Sequence, residues 1–330
     1  MSSIVVTGAC GFIGSNLVRA LNRLAIDNII LVDKKSYLVE GRNLDGCKFD
    51  QSMDQDLFLR LIQMNSFDKS VTTIFHQGAC SDTTERNVEY IMNSNYVYSR
   101  EILRWCQRNS INMIFASSAS IYGSNKVFSE MTCNESPINL YSFSKLIFDD
   151  LARETLNKPT SQIVGLRYFN VYGPGEGFKG KMASLVTKHF TNFTKKGFVE
   201  LFEGSHGVPP GEQSRDFIHI DDVIKVNLHF LRNANISGIF NVGTGIAASF
   251  NKLTESTINR ILTIKGHHEL SLSEMIHHGM IRYIPFPDDL RSQYQPFTMA
   301  DITRLRSCGY SESFMPIDIG ARKCIDELSK

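Results

Sequence analysis

The chain opens as short apolar runs separated by stretches in which apolar residues recur every three or four positions. The runs are residues 4–7, 29–32, 73–76, 113–117 and 163–168. Lacking polar alternation, they predict strands covered on both faces, as in a parallel sheet. The stretches between them, 15–24, 57–64, 87–108 and 141–156, predict helices. This alternation predicts an α/β fold, a Rossmann-like doubly wound parallel sheet with helices on both faces.

Beyond residue 168 the regularity breaks. Gly173-Pro174-Gly175 and Gly207-Val208-Pro209-Pro210-Gly211 are loop chemistry. Residues 182–193 and 222–231 predict helices, and 216–220 and 238–241 predict strands. One or two more helices and a turn at Pro285-Phe286-Pro287 are expected in 245–330. The division expected is a dinucleotide-binding domain over 1–172, rejoined by 216–244. A smaller interleaved C-terminal substrate lobe would come from 173–215 and 245–330.

Composition narrows the partners. With 35 basic and 34 acidic residues, a net charge of +1 and no basic block, neither nucleic acid nor an anionic membrane is expected. Seven cysteines, scattered without a Cys-x-x-Cys pair, point to reduced thiols in a cytoplasm. No basic leader precedes the first run and no run nears about 18 apolar residues, so neither a signal peptide nor a membrane span is expected.

Candidate chemistry sits where the strands end. The first run leads into Gly8-Ala9-Cys10-Gly11-Phe12-Ile13-Gly14 and then a helical pattern. A strand, a glycine loop and a helix start provide a tight turn, bare backbone for a pyrophosphate and a positive helix end aimed at it. The second run ends at Asp33, an acid placed to accept hydrogen bonds from an adenosine ribose. Ala116-Ser117-Ser118-Ala119 closes a later strand, and Tyr141-Ser142-Phe143-Ser144-Lys145 opens the next helix. Four residues apart on a helix, Tyr141 and Lys145 share a face. A cation beside a phenol favours the phenolate, and bringing its pKa from about 10 to about 7 takes about 4 kcal/mol. By itself the spacing is common to amphipathic helices; the ordered set is far more specific.

In that order these motifs resemble the extended short-chain dehydrogenase/reductase family, whose sugar-nucleotide members are epimerases, dehydratases and decarboxylases. The resemblance implies Tyr141 as catalytic base or acid, Lys145 on the nicotinamide ribose, and Ser118 on the reacting oxygen. Gly8, Gly11 and Gly14 would take the cofactor phosphates. The second half narrows it: Arg167 to Pro174, Glu176-Gly177-Phe178-Lys179-Gly180, Leu201 to Ser205 and Arg215-Asp216-Phe217 resemble the ADP-heptose 6-epimerases of that family, as do Ile239 to Gly245 and Tyr283 to Asp288. Such enzymes oxidise the carbinol carbon, turn the ketone in the pocket and reduce its other face, so a second proton donor is needed; the resemblance assigns it to Lys179. It places Phe12, Ile13, Asp33, Lys34, Gln77, Gly78, Ala79, Cys80, Ser81, Ser94, Val171 and Lys179 on the cofactor. Asn170, Phe202, Glu203, Gly204, Ser205, Arg215 and Tyr294 would contact an ADP-heptose, and the assembly would be a homo-oligomer, by analogy a pentamer.

Departures bear on particular contacts. Gly175 stands where the family has arginine, Lys181 where it has serine, and Lys188 where it has histidine; the last two are retained as substrate contacts. Glu40 and Gln55 replace lysines. NADP is expected, with Lys34-Lys35 neutralising a 2′-phosphate, although Asp33 leaves NAD open. Other members of the superfamily, a 4-epimerase or a 4,6-dehydratase, are alternatives, as is a non-enzymatic dinucleotide sensor. Ser118 is followed by Ala119-Ser120 rather than an acid pair, which speaks against dehydration, and retention of Tyr141 and Lys145 speaks against a sensor. His267-His268 and His277-His278, with Glu269 and Glu274, read as an exposed helix, and no metal is expected.

Overall fold

The computed structural model describes residues 2–68, 70–204, 207–287 and 294–330. The strands are β1 (Ser3–Thr7), β2 (Ile29–Asp33), β3 (Gln51–Asp54), β4 (Val71–His76), β5 (Asn112–Ser118) and β6 (Ile163–Tyr168). They continue with β7 (Asn170–Tyr172), β8 (Val199–Phe202), β9 (Ser214–His219), β10 (Gly238–Val242), β11 (Ala247–Ser249) and β12 (Ile281–Ile284). The helices are α1 (Phe12–Arg23), α2 (Lys35–Glu40), α3 (Gln55–Gln63), α4 (Val88–Met92) and α5 (Tyr98–Asn109). Then come α6 (Leu140–Leu156), α7 (Leu185–Lys196), α8 (Ile220–Arg232), α9 (Phe250–Ile264) and α10 (Leu272–His277), with further helices at Thr303–Ser307 and Ile317–Leu328.

Seven parallel strands form the main sheet in the order β10-β6-β5-β4-β1-β2-β3. Every residue of β1, β2, β6 and β10 is buried, which is why these strands read as unbroken apolar runs. One face packs on α1 and α8 through Leu17, Leu21, Val223 and Phe230. The other packs on α3, α5 and α6 through Phe58, Ile62, Leu103, Trp105 and Phe148. Strand order reverses between β1 and β4, so the crevice at their carboxyl ends is the topological switch point where such sheets bind ligands.

A third core joins α7, α9 and the C-terminal helix to β8 and β12 through Val186, Phe193, Leu201, Leu253, Ile258 and Ile325. Of the stretch 216–244, α8 and β10 join the main sheet. The strand expected at 216–220 does not: β9 pairs with β7 and β11 in a separate three-stranded sheet. The expected single helix over 87–108 is interrupted by a π turn at Asn93–Val97. Residues 245–330 hold four described helices rather than one or two. No helix among the described residues is long and apolar enough to cross a membrane.

Candidate active site

A cavity of about 1330 Å³ opens at the switch point and runs from the glycine loop to β9. At its first end, Gly8 has φ +65°, and a Cβ there would lie 2.6 Å from the Gly78 backbone. A Cβ on Gly14 would lie 2.1 Å from the Gly8 carbonyl, so α1 meets the loop too closely for any side chain. Gly11 caps α1 without a side-chain hydrogen bond, leaving the first N–H groups open to an anion.

Asp33, only 8% exposed, accepts from the Cys10 N–H and the Lys34 N–H, each at 2.8 Å. Burial pushes its carboxyl above the usual range. The acid therefore staples the glycine loop to β2. Beside it the Lys34 ammonium donates to the Tyr90 hydroxyl at 3.2 Å and lies 5.7 Å from the Tyr37 ring centroid. Arg42, which no sequence motif marked, covers the Tyr37 ring at 4.0 Å and also lines the cavity.

The next wall is the segment after β4, where Gln77, Gly78, Ala79, Cys80 and Ser81 line the cavity with Ser94. Asn95 holds it in place, accepting from the Cys80 N–H at 2.8 Å and donating to the Cys80 carbonyl and the Ser144 hydroxyl at 3.0 Å. The π turn brings Asn95 to this position, a distortion frequent at functional sites.

The Ser118, Tyr141 and Lys145 side chains come together at the end of β5 and the start of α6. A capping box between Asn139 and Ser142 fixes that start, so Tyr141 and Lys145 occupy its first turns. Lys145 Nζ donates to the Ala116 carbonyl at 2.8 Å, and desolvation brings its pKa down to about 8. The expected lowering of the phenol by Lys145 is not found. Burial raises the Tyr141 pKa, opposed by the Ser118 hydroxyl. One turn beyond Lys145, fully buried Asp149 accepts from Ser117 Oγ and from Arg167 Nε, both at 2.9 Å. Arg167, also fully buried, donates to the Tyr122 hydroxyl at 3.1 Å and pairs with Glu135.

The second proton-transfer candidate arrives on a strap, residues 173–182, between β7 and α7. Lys179 Nζ rests 4.3 Å from the Phe12 ring centroid, above the glycine loop, and desolvation lowers its pKa. Lys181 and Lys188 line the same cavity, with Lys188 lowered by burial too. At the far end stand Asn170, Val171, Phe202, Arg215 and Tyr294. Arg215 is 9% exposed, stacked 5.0 Å from the Tyr294 ring and 5.6 Å from Phe250, and burial lowers its pKa. Among the described residues no carboxylate pairs with it.

Glu203 and Gly204 lie outside the cavity: the Glu203 N–H donates to the Ile284 carbonyl at 2.8 Å, and a Cβ on Gly204 would lie 2.2 Å from the Val208 carbonyl. They shape the turn after β8. Ser205 lies outside the described residues, and among those described no group of three or more His, Cys, Asp or Glu is arranged to hold a metal.

A glycine loop at the switch point, with a Ser-Tyr-Lys set on β5 and α6 lining the same cavity, defines a dinucleotide-dependent enzyme of the reductase type. Residues 4–243 match the NAD dependent epimerase/dehydratase family, and the chain belongs to it. The ADP-L-glycero-D-manno-heptose-6-epimerase of Thiobacillus denitrificans is 45% identical over 98% of each chain. The Helicobacter pylori enzyme of that name superposes with a TM-score of 0.79 at 31% identity, over 99% of this chain and 96% of that one. A Thermotoga maritima UDP-glucose 4-epimerase shares the fold, with a TM-score of 0.77 at 24% identity over 99% and 98%. The open start of α1, the bare loop and the adjacent cavity fit the dinucleotide that the family requires.

Proposed function

We propose that the protein inverts C6 of ADP-D-glycero-D-manno-heptose to give the L-glycero epimer, without net oxidation. The observation that carries this reading is one cavity lined by two separate proton-transfer groups, Tyr141 on α6 and Lys179 on the strap. A nicotinamide held by the glycine loop and Lys145 would supply reversible hydride exchange with the carbinol carbon. The protein's own groups do the rest. In one pose Tyr141 takes the hydroxyl proton while Ser118 hydrogen-bonds the reacting oxygen. Lys145 orients the nicotinamide ribose. In the turned pose Lys179 supplies the proton to the ketone oxygen, and burial, by lowering its pKa, makes that proton easier to give up. Arg215, a buried guanidinium with no carboxylate partner among the described residues, is suited to two diphosphate oxygens, with Lys188 and Lys181 on the same wall.

NADP is the reading we favour over NAD. Both Asp33 oxygens already serve backbone N–H groups, while Lys34 and Arg42 flank Tyr37 at the ribose end. The residues 173–215 and 245–330 are taken as the substrate lobe, and the assembly as a homo-oligomer, by analogy a pentamer. All seven cysteines are free, which supports a reducing cytoplasm.

Incubation with the D-glycero substrate in deuterated water tests the mechanism. The two epimers should equilibrate with no deuterium at C6, because the hydride returns directly. Solvent label at C6 would replace hydride transfer with deprotonation chemistry, and activity only on a hexose nucleotide would move the protein to the 4-epimerases.

A further inference from the structure

Glu176, on the strap that carries Lys179, has a carboxylate 1% exposed in a segment that sequence alone reads as a solvated loop. It accepts from the Ser184 N–H at 2.8 Å, from the Ser184 hydroxyl, and from the Thr187 hydroxyl at 2.8 Å. All three donors belong to the cap and first turn of α7, where the helix end favours negative charge. The Glu176 carbonyl accepts the Lys179 N–H at 3.0 Å, and Gly177–Met182 forms a 3₁₀ segment from that bond. On the other side the strap is tied to α1 and to the turn after α2. Asn16 donates to the Pro174 carbonyl at 3.2 Å, Asn43 donates to the Gly175 carbonyl at 3.1 Å, and Phe178 lies 5.2 Å from the Arg42 guanidinium.

We propose that Glu176 is a positioning residue for epimerisation, fixing the Lys179 segment against α7 and supplying the negative charge that lets Lys179 hold its proton inside the cavity. The inference rests on the reading of Lys179 as the second proton donor. Burial drives Lys179 toward the neutral amine, and Glu176 is the charge that opposes it, as it is for Lys188. The other titratable groups facing this wall include Lys181, which acts on Asp82, Arg42 against Phe178, Cys10 and Asp33 at the glycine loop, Tyr141 at the start of α6, and Cys324 beside Glu176. The two carboxylates among them lie on other segments, Asp33 accepting from the Cys10 and Lys34 N–H groups and Asp82 from Thr84.

The test compares wild type, Glu176→Gln, Glu176→Asp and Lys179→Met as holoenzymes, with kcat and KM followed from about pH 6 to about 10. Bound cofactor and melting temperature are recorded for each. Glu176→Gln should keep its cofactor and bind substrate with KM within about threefold, yet lose about tenfold or more in kcat. Its alkaline limb should move down by about one pH unit, since losing the negative charge lowers the lysine pKa. Glu176→Asp should restore the limb toward wild type. An unmoved limb with unchanged kcat in Glu176→Gln overturns the inference. If Glu176→Gln does not fold, Ser184→Ala combined with Thr187→Val removes two donors and keeps the charge. That variant must lose kcat with the limb in place, and full activity overturns the inference. Lys179→Met separates the two claims: if it retains wild-type kcat, the reading of Lys179 fails, whatever Glu176 does.

Discussion

Replacing Arg215 by methionine should weaken binding of the ADP moiety without weakening the free protein. In the free protein the guanidinium is 9% exposed and donates to the Ser214 carbonyl at 3.1 Å. Stacking on Tyr294 and Phe250 recovers part of its lost hydration, but no described carboxylate does. Such a cation carries an uncompensated desolvation cost until an anion arrives. Two charge-assisted hydrogen bonds to a diphosphate contribute about 1.5–3 kcal/mol each, part of which offsets that cost. A net loss of about 3 kcal/mol corresponds to roughly 150-fold in Kd. Methionine fills a similar length with no charge, so the ligand-free stability should be unchanged or higher by up to about 2 kcal/mol. Titration calorimetry with ADP and chemical denaturation of the ligand-free protein measure the two quantities. A Kd within about threefold of wild type, or a loss of ligand-free stability matching the loss of affinity, would refute the assignment of Arg215 to the diphosphate.

Asp149→Asn leaves the fully buried Arg167 short of one of its two carboxylates and should cost about 3–5 kcal/mol in denaturant unfolding, with the Lys145 pKa falling below about 8. Gly14→Ala forces a Cβ to within 2.1 Å of the Gly8 carbonyl and should abolish cofactor retention, read as bound dinucleotide after gel filtration. Burial pushes His76 and His189 down to about 3, whereas an unfolded histidine protonates near 6.5. Between those values the unfolded chain binds more protons, so their contribution to stability falls as pH drops from about 6.5 to about 3. His189→Gln should therefore lose less stability than wild type between about pH 7 and about pH 5, and an equal loss would rule the histidine out.

The half of the site built on the main sheet was legible because backbone periodicity fixes it. Buried parallel strands are forced to be apolar, their ends fall at the loops, and Asp33, Ser118 and Tyr141 stand within one or two residues of an element's end. The short strands β3, β8 and β12 escaped notice because exposed or half-buried residues interrupt their apolar pattern. The π turn escaped because the residues around it keep a helical pattern; only the contacts of Asn95 with Cys80 and Ser144 reveal what the extra residue accomplishes. Asp149 was missed, and Arg167 and Glu176 were named only as motif residues without a role, for another reason. A buried charged residue looks in sequence like a solvated one, and the partners that make burial tolerable lie elsewhere in the chain.

The strap is where that limit bears on chemistry. Its ties join residues 158 and 132 positions apart, Asn16 to Pro174 and Asn43 to Gly175, through side chain to backbone bonds that leave no periodic trace. Tyr141, by contrast, is placed by its own helix and cap. The two proposed proton-transfer groups are therefore held by independent means, one by secondary structure and one by a few polar contacts. Loosening the polar contacts should leave the Tyr141 half intact: the protein would still fold, bind dinucleotide and oxidise the substrate in one pose. What it would lose is the return of the proton from the other face, so the transient ketone would go back to the starting epimer through Tyr141 and no inversion would be seen. If Lys179 is the second proton donor as proposed, inversion, the step that distinguishes an epimerase from a simple reductase on the same sheet, rests on the contacts that sequence records least.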